Sequence, residues 1–362
     1  MDDSFSDDKI SNDKSIVGYA IQHIDLGEPL PSGWMVSQPV FTVFWYRHIP
    51  LGSILIQPDS QPMSATALAT VAAQTITPSV QAYLQQSSQS STLADLAELS
   101  APLEAVANSV VVNNIAEDEA TESLSVSVVV CTRDRPEQLA DCVRSLQTLT
   151  PPPSEILIVD NNPTNPATQA LISTFSQEPV SIPIRYVTEP RVGLSYARNT
   201  GIRHSHSDII AFTDDDVRVH PHWLKPILHA FTDKKVMSVT GIIMPTELNT
   251  PTQILFEFGH GFFDHGYKPK TFDTAFFQQH KNKGVPVWDS GAGANMAFRR
   301  KAFEQVGLFD PRLGAGASGC REDSEMWYRI LAAGGHCCYV PAAVVYHTHR
   351  TNQAALFQQM RA

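Results

Sequence analysis

Three consecutive aspartates, Asp214, Asp215 and Asp216, follow an apolar stretch from Ile209 to Phe212 and a single threonine. Adjacent like charges repel, and holding them beside a core is costly unless a hard cation with oxygen ligands, magnesium or manganese, offsets the repulsion. A solvated turn capping the next helix is the other reading of the same residues. A second acidic pair, Glu322-Asp323, opens a segment in which Met326, Trp327, Ile330 and Leu331 share one helical face. Acids at a helix start suit the dipole whether or not they do chemistry. Before them runs Trp288-Asp289-Ser290-Gly291-Ala292-Gly293-Ala294-Asn295-Met296, whose small residues either let a ligand approach the backbone or mark a β-bulge. Near the end, Val344 to Arg350 reads as a strand, and its alternation puts His347 and His349 on the same face.

These residues need a scaffold, and from Ser125 onward the pattern supplies one. Short, β-branched apolar runs alternate with amphipathic helices, which predicts an α/β layer structure on a mainly parallel sheet. Strands are expected at Ser127 to Cys131, Ile156 to Val159, Ile184 to Val187, Ile209 to Phe212 and Met296 to Phe298. Behind Pro136, the positions Leu139, Cys142, Val143, Leu146 and Leu149 have helical spacing. In open parallel sheets ligands sit beyond the carboxyl ends of the strands. Those ends carry Thr132-Arg133-Asp134, Asp160-Asn161-Asn162, Glu189-Pro190-Arg191 and the acidic triplet. Gly193 to His204 reads as a helix entered through a glycine, with N-terminal amides suited to an anion. On it, Arg198 has two candidate partners, a phosphate or the triplet itself.

The rest of the 362 residues divides around this unit. Residues 1–15 form an acidic, polar tail. Residues 16–115 are expected to be a small N-terminal α+β domain, with a hairpin of strands at Val40 to Arg47 and Ser53 to Ile56 followed by helical segments. Residues 116–124 are a linker, 125–350 the α/β domain, and 351–362 a C-terminal helix or tail. Composition, 43% hydrophobic and 17% charged, is that of a folded chain. A net charge of -11 argues against tracking a nucleic-acid backbone. Five cysteines with no paired spacing imply neither a disulfide framework nor a structural zinc site. No basic-then-apolar leader and no 18-residue apolar run is present. A cytoplasmic protein is the expectation.

The segments SVVVCTRDRP, EILIVDNNP, RVGLSYARNTGI and IIAFTDDDV, in this order, resemble family 2 inverting glycosyltransferases with the GT-A fold. The resemblance covers roughly 125–350 and implies transfer of a sugar from a nucleotide-diphosphate donor to an acceptor hydroxyl. It equates the triplet with the family's Asp-x-Asp motif. Asp214 then faces the ribose and donor sugar, Asp216 contacts Mn2+ or Mg2+ on the pyrophosphate, and Asp215 can exchange roles with either. Thr132 and Asp160 would hold base and ribose, with Arg133 and Asp134 lining that pocket. Gly193 and Arg198 would stand on the donor side, and Trp288, Gly291, Gly293 and Asn295 near the donor sugar and acceptor. By the same resemblance Asp323 is the general base and Glu322 orients the site or contacts the acceptor. Asp214 is a second metal candidate beside Asp216, and His347, or His349, would complete the metal shell. The donor is expected to be a UDP, dTDP or GDP sugar and the acceptor a glycan, or a lipid-linked one with peripheral membrane contact. Some relatives with a similar leading domain run past the last strand, so a shortened acceptor side is a further expectation.

Two other classes stand beside this one. A nucleotidyltransferase would want a glycine-rich basic loop after its first strand, where this chain has Thr132-Arg133-Asp134-Arg135-Pro136. A catalytically silent nucleotide-sugar binding or scaffold protein of the same fold would have no need of Asp214, Asp216 and Asp323. Gly314-Ala315-Gly316-Ala317-Ser318-Gly319 matches a dinucleotide fingerprint but follows no buried strand, so a loop closing over the donor is expected instead. The pairs His204/His206 and His220/His222 read as surface.

Overall fold

A computed structural model describes residues 18–86, 100–111, 124–175, 182–260, 263, 265–354 and 356. The expected tail over 1–15, positions 116–123 of the expected linker and residues 357–362 lie outside them. The chain begins with β1 (Ala20–Asp25), β2 (Val40–Tyr46) and β3 (Ile49–Ile56), then α1 (Ala65–Gln86) and α2 (Ser100–Val111). β1 runs parallel to β2, and β2 pairs antiparallel with β3 across a turn of only Arg47 and His48. Arg47 takes a left-handed conformation there, φ 57°. α1 packs on β3, and Gly52 makes this close approach possible because a Cβ there would lie 2.9 Å from the Thr75 methyl.

The α/β unit continues with β4 (Val126–Thr132), α3 (Pro136–Leu146), β5 (Glu155–Asp160), α4 (Ala167–Phe175), β6 (Ile184–Thr188), α5 (Leu194–His204), β7 (Ile209–Asp214), β8 (Val217–Val219), α6 (Leu224–Ala230) and β9 (Val236–Pro245). A single helical turn, α7 (Pro251–Ile254), runs directly into a π-helix at Leu255–His260. β10 (Lys270–Phe272), α8 (Thr274–His280), a 3-10 turn at Val287–Ser290, β11 (Asn295–Arg299), α9 (Arg300–Val306), α10 (Glu322–Ala332) and β12 (His336–His347) complete it.

Nine of these strands form one sheet in the order β10-β12-β9-β11-β7-β4-β5-β6, with β8 added on β12. The half from β7 to β6 is parallel, as the alternating pattern predicts. Beyond β7 the sheet is mixed, because β11 runs antiparallel to both of its neighbours, β7 and β9. Both faces are buried, which is why the parallel strands read as unbroken apolar runs. On β4 the alternation sorts Val129 to the α5 face and Val126, Val128 and Val130 to the α3 face. α5 sits close on the sheet because Gly201 opposes Val129, and a Cβ at Gly201 would come within 2.4 Å of the valine methyl.

Phe41, Val43 and Trp45 of β2 belong to the same core cluster as Val129, Phe212 and Trp327. The N-terminal sheet therefore rests on the α/β unit rather than hanging from it. His220 and His222 sit in this seam and not on the open surface. Trp45 stacks on His220 with centroids 5.7 Å apart, and His48 meets His222 at 3.9 Å. His204 and His206 are exposed, as the sequence suggests.

Candidate active site

The carboxyl ends of β4, β5 and β7 bring three of the expected polar clusters together. Thr132, the last residue of β4, donates its hydroxyl to Asp215 Oδ2 at 2.7 Å. Arg135, the N-cap position of α3 directly after Asp134, places Nη1 3.2 Å from both Asp215 Oδ1 and Asp216 Oδ2. Asp215 is thus turned inward, with Thr132 and Arg135 as its partners. Burial, with the Asp216 charge beside it, raises its carboxyl to about 6. Asp214 points to the other side, keeps 37% of its side chain exposed and lies 3.8 Å from Arg198 Nη2. Burial at the bottom of that recess raises its pKa, and the Arg198 charge opposes the rise.

Asp160, at the end of β5, accepts from the Tyr186 hydroxyl at 2.7 Å and from the Asn162 backbone amide at 2.9 Å. Arg133 and Asp134 are exposed on the adjoining loop, where Asp134 has φ 58° and accepts from the side-chain amides of Asn162 and Asn165. These hydrogen bonds hold its carboxyl below the usual range. Gly193 caps α5 with φ 141°, a conformation that favours glycine. Its N–H donates to Asn161 Oδ1 at 2.9 Å, and the Leu194 N–H donates to Ala315 O at 2.9 Å. The N-cap amide and the first helical amide therefore have partners within the protein.

Arg198, one and a half turns along α5, is 3% exposed and turns inward. Nη1 donates to Glu322 Oε1 at 2.5 Å and Nη2 approaches the Gly293 carbonyl at 3.4 Å. Of its expected partners it faces Asp214, and it adds Glu322, which the sequence singles out but does not link to Arg198. The next residue, Asn199, clamps the loop before α10, donating to Phe309 O at 2.8 Å and accepting from Phe309 N–H at 2.9 Å.

α10 starts from Arg321 in the left-handed region, φ 76°, and carries Glu322 buried and Asp323 half-buried at its first turn. Met326, Trp327, Ile330 and Leu331 are all buried against the sheet, which anchors the helix behind them. Asp323 Oδ1 accepts from its neighbour's backbone, Ser324 N–H, at 2.6 Å. Burial and the Glu322 charge raise the Asp323 carboxyl above its ordinary value, and Arg198 opposes this. Gly293 lies where these groups converge: a Cβ there would sit 2.8 Å from Arg198 Nη2 and 3.1 Å from Asp323 Oδ2. Gly291, φ 136°, is equally constrained, since its Cβ would overlap the Thr240 side chain. Trp288 stands 57% exposed on the 3-10 turn that packs against α10.

Asn295 departs from the expectation of a ligand contact. It is fully buried, its amide donates to Ile242 O and Ala343 O, and its carbonyl accepts from the Trp223 indole at 2.8 Å. All its capacity goes to joining β9, β11 and β12. The loop over 314–319 is tied down as well as placed near the site, because Ser195 Oγ donates to Leu313 O and Leu194 N–H to Ala315 O.

At the end of β12, His347 Nε2 faces Asp216 Oδ1 at 3.5 Å, and Arg350 Nη2 lies 3.5 Å from Asp216 Oδ2. Burial, with His349 beside it, pushes the His347 imidazole down to about 3, so the ring is neutral near pH 7. Arg135, Tyr186 and Arg350 are the contributors missing from the sequence reading. Arg135 alone carries a signal, its position one residue before the Pro136 helix start.

A family model, Glycosyl transferase family 2, matches residues 127–307. The chain belongs to that family. Among the relatives of this family 2 glycosyltransferase is the succinoglycan biosynthesis protein ExoM of Rhizobium meliloti. It is 30% identical over 243 residues, which cover 65% of this chain and 70% of the relative. A pre-mycofactocin glycosyltransferase of Mycobacterium tuberculosis is 27% identical over 226 residues, 62% of this chain but only 43% of the relative. A solved structure of a mannosyltransferase from Pyrobaculum calidifontis, in complex with GDP-Man and Mn2+, is 18% identical with a TM-score of 0.47, over 66% of this chain and 60% of its own. Among the described residues of the family 2 chain no helix is long and apolar enough to cross a membrane.

Proposed function

We propose that this family 2 glycosyltransferase moves a sugar from a nucleotide-diphosphate donor to an acceptor hydroxyl in one inverting displacement, with Asp323 as general base. The observation that carries the reading is the convergence on Arg198 of two carboxylate groups with separate origins. Asp214 comes from the end of β7, and Glu322, with Asp323 beside it, comes from the first turn of α10. A displacement with inversion needs a donor centre and one base on the acceptor side, and this arrangement offers both across a single glycine, Gly293.

In this reading the base and ribose lie along Thr132, Arg133, Asp134 and Asp160, while Asp214 faces the donor sugar. The acceptor hydroxyl lies against Asp323, which withdraws its proton as the hydroxyl oxygen attacks the anomeric carbon and the bond to the diphosphate breaks on the opposite face. A base so placed contributes roughly 10² to 10⁴ in rate. Glu322 is committed to Arg198, and its part is to hold the start of α10 at a fixed distance from the donor side.

A divalent cation fits the residues present. Asp216 Oδ1 and His347 Nε2, 3.5 Å apart, are an oxygen and a neutral imidazole nitrogen of the kind manganese accepts. Among the described residues no group of three or more His, Cys, Asp or Glu is arranged to hold a metal, so diphosphate oxygens and water would complete the shell. When bound, the cation would neutralise charge developing on the departing diphosphate.

The test is a calorimetric titration with UDP, GDP and dTDP, each with and without manganese, repeated on Asp216→Ala. One nucleotide binding only with metal, and lost in the variant, supports the donor site and names its base. No binding under any condition would sink the enzyme reading in favour of a silent scaffold.

A further inference from the structure

Behind the Asp216–His347 pair a second histidine and a glutamate extend the line into the protein. His347 Nδ1 lies 3.0 Å from His349 Nδ1, and His349 Nε2 lies 2.9 Å from Glu257 Oε2. The His349 side chain is 1% exposed and that of Glu257 15%. The rings are boxed by Phe256 and Phe263, with Phe256 4.6 Å from His349 and Phe263 5.2 Å from His347. Glu257 belongs to the π-helix, a conformation that inserts an extra residue per turn and occurs mostly at functional positions.

For His347 Nε2 to meet a cation as a lone pair, the order of atoms along this line fixes where the protons must be. A carboxylate can only accept, so His349 carries its proton on Nε2 and donates to Glu257. In that state His349 presents a bare Nδ1 to its neighbour. Only one proton fits between two nitrogens 3.0 Å apart, so His347 supplies it from Nδ1. This leaves His347 Nε2 as a lone pair facing the Asp216 carboxylate, two acceptors with no proton between them. Arg135 and Arg350 already offset the Asp216 charge, and a cation between the two groups would give the His347 lone pair its partner.

We propose that Glu257 is a positioning residue which, through His349, locks His347 in the Nδ1–H tautomer and so prepares Nε2 of His347 together with Asp216 to chelate the divalent cation. The inference rests on the metal-assisted reading above and adds to it a carboxylate–histidine–histidine support that none of the sequence motifs contains. Outer partners that set the tautomer of a ligating histidine are worth about 10- to 100-fold in metal affinity. Glu257 touches neither substrate nor cation, so its effect is confined to metal binding and to the proton position.

The experiment measures free Mn2+ by electron paramagnetic resonance as the full chain is titrated in the presence of saturating UDP, GDP or dTDP. Wild type, Glu257→Ala, Glu257→Gln and Asp216→Ala are compared. The proposal expects Mn2+ affinity to fall about 10- to 100-fold in Glu257→Ala. Glu257→Gln, which keeps an acceptor oxygen, should recover part of the loss. If wild type binds Mn2+, Asp216→Ala abolishes it and Glu257→Ala leaves it unchanged, the relay is wrong while the metal site survives. If wild type binds no Mn2+ with any nucleotide, the metal reading fails and the relay with it. A second measurement covers variants that fail to fold: ¹⁵N chemical shifts of the wild-type histidines should show His347 protonated at Nδ1 and His349 at Nε2. The opposite assignment overturns the proposal directly.

Discussion

Arg198 reaches Glu322 across the cleft between α5 and α10, Nη1 to Oε1 at 2.5 Å, with both side chains more than nine-tenths buried. The same guanidinium lies 3.8 Å from Asp214 and under the carbonyl of Gly293. Removing one partner of such a pair strands the other charge without water, which costs about 3–5 kcal/mol. Arg198→Ala should therefore lose stability on that scale in urea unfolding, whereas Arg198→Met combined with Glu322→Leu should recover most of it. Equal losses in the single and double variants would show that the pair is not the reason Arg198 is buried.

Asp323→Asn should lower kcat about 10²- to 10⁴-fold while nucleotide affinity measured by calorimetry stays as in wild type. The base must be ionised to act, and burial with Glu322 raises its pKa. Activity should accordingly fall as pH drops through a midpoint above the ordinary carboxylate value. Arg198 opposes that rise, so Arg198→Met should move the acidic limb of kcat/KM to higher pH.

Gly293→Ala tests the spacing directly. Its methyl would displace either the Arg198 guanidinium or the Asp323 carboxylate, since both lie within about 3 Å of the new atom. A misplacement near 1 Å at a reacting centre costs on the order of 10²-fold in rate. The expected result is a lower kcat with the nucleotide dissociation constant unchanged.

Trp288 is mostly exposed and close to the start of α10, so its replacement should leave folding within about 0.5 kcal/mol of wild type. On the proposed function, its aromatic face would be a stacking surface for the acceptor. Trp288→Ala should raise acceptor KM about 3- to 10-fold and leave kcat alone, as loss of an interaction worth 0.5–1.5 kcal/mol in both ground and transition states would. A change in kcat with KM fixed would instead place Trp288 at the reacting centre.

The histidine seam sets a different pH dependence. Burial holds His220 down to about 4 and lowers His48 and His222 as well. An unfolded histidine takes up its proton near 6.5, so the unfolded state binds more protons between about 4 and 6.5. The stability from these groups is fully present above that window and lost as pH falls through it. Melting temperature should decline from pH 6.5 downward, and His220→Asn should flatten the decline.

What the sequence makes legible follows from how strongly one pattern dominates. β4, β5 and β7 are found within two residues because strands buried on both faces leave unbroken apolar runs, while β6, a half-buried edge strand, is found within one residue from its Ile, Tyr and Val content. β9 escapes notice although all ten of its residues are buried, because Ser238, Thr240 and Gly241 interrupt the apolar run. Thr240 uses its hydroxyl on the Ser290 carbonyl, a partner far along the chain. The carboxylates stand out because charge beside an apolar strand is rare. Asn295 stands out for the wrong reason, since nothing local distinguishes an amide facing a ligand from one that bonds Ile242 and Ala343 carbonyls. Glu257 lies in a stretch without turn or motif signals, and its meaning depends on His349 from the other end of the domain.

The packing of Phe41, Val43 and Trp45 into the core of the α/β domain has a consequence for cooperativity. Were the N-terminal strands a tethered module, the chain would melt in two steps and the second unit could be cut free intact. With aromatic side chains shared across the seam, opening either unit exposes apolar surface on the other, so both should denature in a single transition. A fragment beginning at Ser125 would carry an uncovered hydrophobic face, and self-association is its expected fate.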